Sequence, residues 1–298
     1  MNLRQLHIFR IVAETGNITA GAERLHISQP AVSKHIHDLE SELGAPLLDR
    51  HPRGVTLTAA GEVLLRHARR MQALQKDARD ELASLKGVNS GRLAIGASTT
   101  IGSYLLPAAL ERFHRTNPGI RISLVVENTR HIQAQLLDYA LDVGLTEGFV
   151  DPDSFDAEVF ARDRLIPVTS PKFKQAHKIR DLPMLAELPC IQREKGSGTR
   201  AVVERAFAQH SARPSTLMSL GNAEAIKRIV ASGLGYTVIS ELAVTEELSD
   251  GRLVRLPVRE LTITRPLHLV RLKERSKSPA LAAFVDLLRP GLPAEAVD

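Results

Sequence analysis

Cysteine is almost absent from this chain of 298 residues, with Cys190 the only one. A single thiol excludes an intrachain disulfide, a two-cysteine redox switch and an all-cysteine zinc site, and leaves the chain free to fold in a reducing compartment. Long apolar runs are missing as well. No stretch of about 18 apolar residues occurs, so no membrane span is expected. The start, Met1-Asn2-Leu3-Arg4-Gln5-Leu6-His7, lacks the apolar core and small-residue cleavage site of a secretory leader, and the expected location is the cytoplasm. Internal repeats and low-complexity tracts are also missing. The formal charge of +5 permits nucleic-acid binding, but the excess is not concentrated. Residues 1–90 hold 12 Lys+Arg against 10 Asp+Glu, and the remainder 27 against 24. Any case for DNA must therefore come from pattern. Six of the eleven His lie in the first 90 residues, scattered without metal-ligand spacing, so neither a metal nor a cofactor is expected.

What is present is an ordinary globular composition, 43% hydrophobic and 24% charged, in a length that suits about two domains. Leu3, Leu6, Phe9, Val12 and Ala13 share one helical face, and Thr15-Gly16 stops that helix. Asn17 stands where an N-cap belongs, ahead of Ile18–Leu25. After the turn His26-Ile27-Ser28, a second cap at Ser28 with Pro30 in the first turn opens a helix to about Leu43, and Gly44 ends it. A helix followed by two helices joined through a short turn is helix-turn-helix grammar. Residues 45–57 read as a short β-ribbon whose tip carries Arg50, His51 and Arg53 around Pro52 and Gly54: a basic wing. Thr58 caps a long helix reaching about Lys86. Leu64, Met71, Ala78 and Leu85 recur along it every seven residues, widened by Ala68, Leu74 and Leu82 and interrupted by His67 and Glu81. Such a narrow seam predicts a partner helix, and so a dimerising linker, with packing along the chain's own C-terminal domain as the alternative.

Gly87–Gly91 is a polar, Gly-rich break, and the grammar changes after it. A strand at Arg92–Gly96, a helix around Tyr104–Arg115, a strand at Arg121–Glu127, a helix at about Ile132–Leu137 and a strand at Asp142–Leu145 read as an α/β unit with a parallel sheet. Residues 164–169 and 189–191 open a second lobe, continuing with a helix at Thr199–Gln209, a strand at 215–220, a helix at Ala223–Ala231 and a strand at Gly235–Ser240. Arg265–Leu272 is a late strand, and Ala280–Leu288 a final helix returning to the first lobe.

These residues resemble the LysR-type transcriptional regulators. The resemblance is carried by Leu3-Arg4-Gln5-Leu6 with Phe9, Asn17–Leu25, Ser28-Gln29-Pro30-Ala31-Val32-Ser33, Leu39–Gly44, Leu47-Leu48-Asp49-Arg50 and Leu57–Gly61, and it extends over essentially the whole chain. It implies an α/β protein with an N-terminal winged helix-turn-helix (1–58), a dimerising linker helix (59–88) and a two-lobed effector domain like a periplasmic binding protein (89–298; lobe I about 92–163 and 266–298, lobe II about 164–265). Gly96–Gly102 with Gly196–Arg200 is similar to a branch of the family linked to sulfur assimilation.

The second helix of a helix-turn-helix presents its N-terminal residues to the major groove, which here are Gln29, Pro30, Ser33 and Lys34. Gln can hydrogen-bond adenine bidentately, and Lys can reach guanine or a phosphate. Ser28 and the helix N-terminus can take a phosphate. The resemblance implies that Arg53 enters a minor groove, and Arg50 is assigned to phosphate or local packing. In the effector domain, small polar residues gather at strand-to-helix junctions: Ser98-Thr99-Thr100, Ser197-Gly198-Thr199 and Asn222, with Thr146 and Glu147 after the third strand. Strand ends facing helix N-termini favour a small anion or carboxylate, though the same side chains would also serve as plain helix caps, and Glu147 complicates a purely anionic ligand. Ser197-Gly198-Thr199 is neither a nucleophile elbow nor a P-loop, so no enzyme is expected. The reading is a DNA-binding regulator on a dyad-symmetric promoter site, modulated by a small-molecule effector. The resemblance implies homodimers assembling to homotetramers, and RNA polymerase is left open as a partner. A regulator without an effector and a solute-binding protein are the alternatives.

Overall fold

The structure, a computed structural model, describes residues 1–85, 91–273, 275 and 278–289. They fall into two compact units. The break at residues 87–90, the expected end of the linker at 86–88 and the tail after 289 lie outside the described residues.

The N-terminal unit begins with α1 (Leu3–Thr15), α2 (Ile18–Leu25) and α3 (Gln29–Leu43). Each boundary has a local cause. Asn2 and Gln5 form a reciprocal capping box on α1. Asn17 accepts from the Thr19 and Ala20 N–H groups, and Ser28 from that of Ala31. Gly16 and Gly44 close α1 and α3 at φ 64° and 66°, where a side chain would be strained. The ribbon β1 (Leu48–His51) and β2 (Gly54–Leu57) is antiparallel. Phe9, Val12, Val32, Ile36, Leu39, Leu47 and Val55 make one core under helices and ribbon. The Thr58 hydroxyl accepts from Gly61 N–H at 3.0 Å and starts α4 (Ala59–Leu85). Leu65 and Ala68 of α4 are buried, whereas Met71, Leu74 and Leu82 are 38%, 53% and 62% exposed, so much of the apolar seam is uncovered.

The C-terminal unit contains β3 (Gly91–Ser98), α5 (Leu106–Thr116), β4 (Ile120–Glu127), α6 (Thr129–Leu137), β5 (Val143–Glu147) and β6 (Phe155–Thr169). It continues with α7 (Pro171–His177), α8 (Leu182–Glu187), β7 (Pro189–Arg193), α9 (Gly198–Gln209), β8 (Ser215–Leu220), α10 (Ala223–Ala231) and β9 (Tyr236–Ser240). α11 (Thr245–Ser249), β10 (Val254–Arg255), β11 (Ile263–Leu272) and α12 (Pro279–Leu288) complete it. The sheet runs β4-β3-β5-β11-β6-β9-β7-β8, with β10 paired to β6. β4-β3-β5 and β9-β7-β8 are parallel. The strands between them, β11 and β6, are antiparallel to each other and to their outer neighbours. Two parallel α/β lobes are thus joined by two strands that pass from one to the other, and the sheet is mixed rather than wholly parallel.

Lobe I closes around Leu93, Ile95, Phe113 and Leu145, with α12 contributing Phe284 edge-on to Phe113 at 5.4 Å. Lobe II has a core around Leu165, Leu185, Phe207 and Tyr236 and another around Ile191, Ile226 and Val230. The helix expected from Tyr104 is preceded by helical backbone from Thr99 and widened by a π-turn at Ile101–Leu105 before α5. Pro107 explains the widening: its ring cannot sit against the carbonyl of a continuous preceding turn and it has no N–H to donate.

Candidate nucleic-acid interface and effector site

On the N-terminal unit, Ser28, Gln29, Pro30 and Lys34 are exposed at the start of α3, and Ser33 is half-buried. Arg50 and Arg53 are exposed on the ribbon. Gly54, at φ 140°, rests against the Gly16 carbonyl, and Val55 N–H donates to that carbonyl at 2.8 Å. The wing is therefore pinned to the turn between α1 and α2 by a contact with no room for a Cβ. Glu40, not foreseen as a positioning residue, accepts from the Leu47 and Leu48 N–H groups at 2.8 and 3.2 Å. It holds the ribbon to the end of α3. An exposed Gln and Lys at a helix start, beside an arginine-tipped ribbon of fixed origin, are suited to base edges and phosphates respectively.

In the C-terminal unit the predicted effector residues separate into two groups. Thr99 and Asn222 line a cavity of about 530 Å³ between the lobes. Its walls also carry Tyr104, Val126, Glu127, Asn128 and His131 from lobe I and Glu194 and Glu224 from lobe II. Ser98, Thr100, Thr146, Glu147, Ser197, Gly198 and Thr199 do not line it, and Ser98, Thr100, Thr146, Glu147, Ser197 and Thr199 are buried polar residues. The reason is a sealed polar cluster. Ser98 Oγ donates to Glu147 Oε2, and Thr199 Oγ1 donates to Glu147 Oε1 at 3.3 Å. Arg265 Nη1 donates to Thr199 Oγ1 at 2.9 Å and lies 3.6 Å from Glu147 Oε1. Arg265 Nε donates to Asp163 at 2.8 Å, and Ser240 Oγ donates to the other Asp163 oxygen at 2.7 Å. Ser197 caps α9. Gly198 is forced by the same packing, since a Cβ there would strike the Glu147 carbonyl. Thr146 faces β11 opposite His268, its hydroxyl without a protein partner.

The cavity wall mixes apolar and polar groups and includes the carboxylates Glu127, Glu194 and Glu224. Tyr104 OH donates to Glu224 at 2.8 Å across the junction of the lobes. Burial and then the Glu224 bond push the Tyr104 hydroxyl up to about 12. Lys227 Nζ lies 2.7 Å from Glu224 and 2.9 Å from Glu247. Burial raises the Glu224 carboxyl, but the Lys227 and Tyr104 bonds outweigh it and hold it below its ordinary value. Glu194 behaves likewise: burial is opposed and overcome by Arg193, which chelates it at 2.8 and 3.0 Å. Arg193 Nη2 also donates to Thr99 at 3.1 Å. Asn222 caps α10 through its side-chain oxygen. Cys190 is buried, and desolvation pushes its thiol up to about 12, so it is not an activated thiol. Among the described residues no group of His, Cys, Asp and Glu is arranged to hold a metal, and no helix is long and apolar enough to cross a membrane.

Residues 3–62 match the bacterial regulatory helix-turn-helix protein of the lysR family, and residues 86–293 match the LysR substrate binding domain. The chain belongs to the LysR-type transcriptional regulators. As a LysR-type regulator it is a DNA-binding transcription regulator with an effector-binding domain, and not an enzyme. It is 33% identical over 290 residues to an uncharacterized HTH-type transcriptional regulator, YeiE, of Escherichia coli (strain K12), covering 97% of this chain and 98% of that one. Full-length CbnR complexed with its target DNA is similar at a TM-score of 0.70 and 25% identity, over 97% of this chain and 99% of that one. The Synechocystis PCC6803 CcmR regulatory domain in complex with 2-PG is similar at a TM-score of 0.63 and 28% identity, over 69% of this chain and 99% of that one.

Sequence reasoning missed Tyr104, Arg193, Glu224, Lys227, Asp163 and Arg265. A signal was available for the last. Arg265 opens the apolar strand Arg265–Leu272, and a cation inside a buried strand requires an anion from another element.

Proposed function

We propose that this regulator acts in the cytoplasm as a homodimer built on α4, assembling to a homotetramer on a dyad-symmetric promoter site. Gln29, Ser33 and Lys34 read base edges, and Ser28, Arg50 and Arg53 hold the backbone and minor groove. The exposed seam Met71, Leu74 and Leu82 supports the dimer. Promoter binding brings RNA polymerase within reach as a partner.

The effector enters the cavity between the lobes, where Thr99 and Asn222 meet Tyr104, Asn128, Glu194 and Glu224. That cavity is the observation that carries the reading: at about 530 Å³ it suits a small molecule, and both lobes contribute to it. The complex of CcmR with 2-PG supports a small molecule in a domain of this kind. An effector that binds one lobe arrangement better than another shifts the assembly on DNA by that difference in affinity. A thermal-shift panel of carboxylates, amino acids, sulfur metabolites and 2-PG on the full chain, followed by footprinting with the hit, tests this. The expected result is a stabilising ligand that alters the footprint. A ligand that binds while footprint and bend angle stay unchanged contradicts it.

A further inference from the structure

We propose that Glu147 is a resident anion: its carboxylate occupies the donors that the strand ends offer to a small anion, and so excludes anionic effectors from them. The observations are all within one buried cluster. The hydroxyls of Ser98 and Thr199 both donate to Glu147, one to each oxygen. Arg265, itself buried, adds its charge 3.6 Å away and is held by Asp163. Glu147 is 1% exposed, and the Thr129 hydroxyl and the close approach of Gly198 hold its backbone carbonyl. Two hydroxyls and a guanidinium converging on one carboxylate are what a binding site for a monocarboxylate provides. Here the chain supplies that carboxylate itself. With these donors occupied, an effector of the kind proposed above is recognised by the outer cavity, whose wall carries Glu194 and Glu224 already paired with Arg193 and Lys227.

The consequence for effector class rests on the proposed effector cavity, but the resident anion itself does not, and its test uses no effector. Replacing Glu147 with Ala removes a CH2–COO⁻ fragment, which is acetate in size and charge. In the full chain, E147A should melt below wild type, and acetate should raise its melting temperature saturably, more than formate or propionate does and beyond a chloride control of equal ionic strength. Wild type and E147Q, whose side chains fill the space, should show no such shift. Should E147A fail to fold in chloride, recovery of folded protein on refolding in acetate supports the proposal, and failure to recover in acetate overturns it. A folded E147A without saturable rescue, or wild type stabilised by acetate as strongly as E147A, also overturns it. Failure of this rescue leaves the cavity reading standing, because that reading is tested through the ligand panel and through Asn222→Ala.

Discussion

Around Glu147, hydroxyls, carboxylates and a guanidinium bond to one another and are sealed from solvent. Along the same strand ends, Thr99 and Asn222 open onto the cavity. Residue type does not separate the two regions, since both hold Thr and Glu. What separates them is burial: Glu147 and Asp163 share the Arg265 guanidinium away from solvent, whereas the cavity carboxylates are paired at a wall that opens to solvent. The Glu147 cluster joins β3 and β5 of lobe I to α9 of lobe II through the bridging strands β6 and β11. The cavity keeps its ion pairs at the wall, where a ligand can exchange for them at less cost.

Breaking the sealed cluster should have the largest effect. Arg265→Ala leaves Asp163 and Glu147 buried without their cation, and removing one partner of a buried pair costs about 3–5 kcal/mol. Urea unfolding of the full chain should show it; a loss below about 1 kcal/mol would place the cluster in contact with solvent. Gly198→Ala drives a Cβ into the Glu147 carbonyl and should cost about 1–3 kcal/mol by the same assay. On the DNA unit, Gln29→Ala should cost about 1–3 kcal/mol at the specific site and much less on random DNA. Arg53→Ala should instead weaken both and lower the salt slope by about 1. Gel-shift titrations at several salt concentrations separate the two, and equal loss on both DNAs for Gln29→Ala would move base reading elsewhere.

The smallest effect is electrostatic. The folded Glu194 carboxyl titrates below its ordinary value near 4.5, because Arg193 outweighs burial. The stability it contributes is therefore present above that ordinary value and is lost as pH falls through the lowered one. Melting temperatures from neutral to acid pH should fall less steeply for Glu194→Gln than for wild type. Parallel curves would mean that the pair is solvated.

The N-terminal unit was legible because its determinants are local. Asn17, Ser28, Pro30, Gly16 and Gly44 each fix a boundary within a few residues, and the structure places the helices there. The effector unit was legible in its parallel units but not in its crossing strands. The pairing of β6 with β11 joins residues about a hundred positions apart, as Asp163 with Arg265, and no local pattern encodes it. For the same reason the polar strand ends were recognised as a set but not divided. Ser98 and Thr99 are neighbours in sequence, yet β3 ends at Ser98 and the chain turns helical at Thr99, so one side chain enters the Glu147 cluster and the other reaches the cavity.

The most direct test of that division is a thermal-shift titration of the full chain with a stabilising ligand from the panel, repeated on Asn222→Ala and Ser98→Ala. The account predicts that Asn222→Ala abolishes or strongly weakens the ligand-induced shift. Ser98→Ala should lower the starting melting temperature but keep the shift. Loss of the shift in Ser98→Ala with full retention in Asn222→Ala would contradict it, and would put the effector at the strand ends that Glu147 is argued to fill.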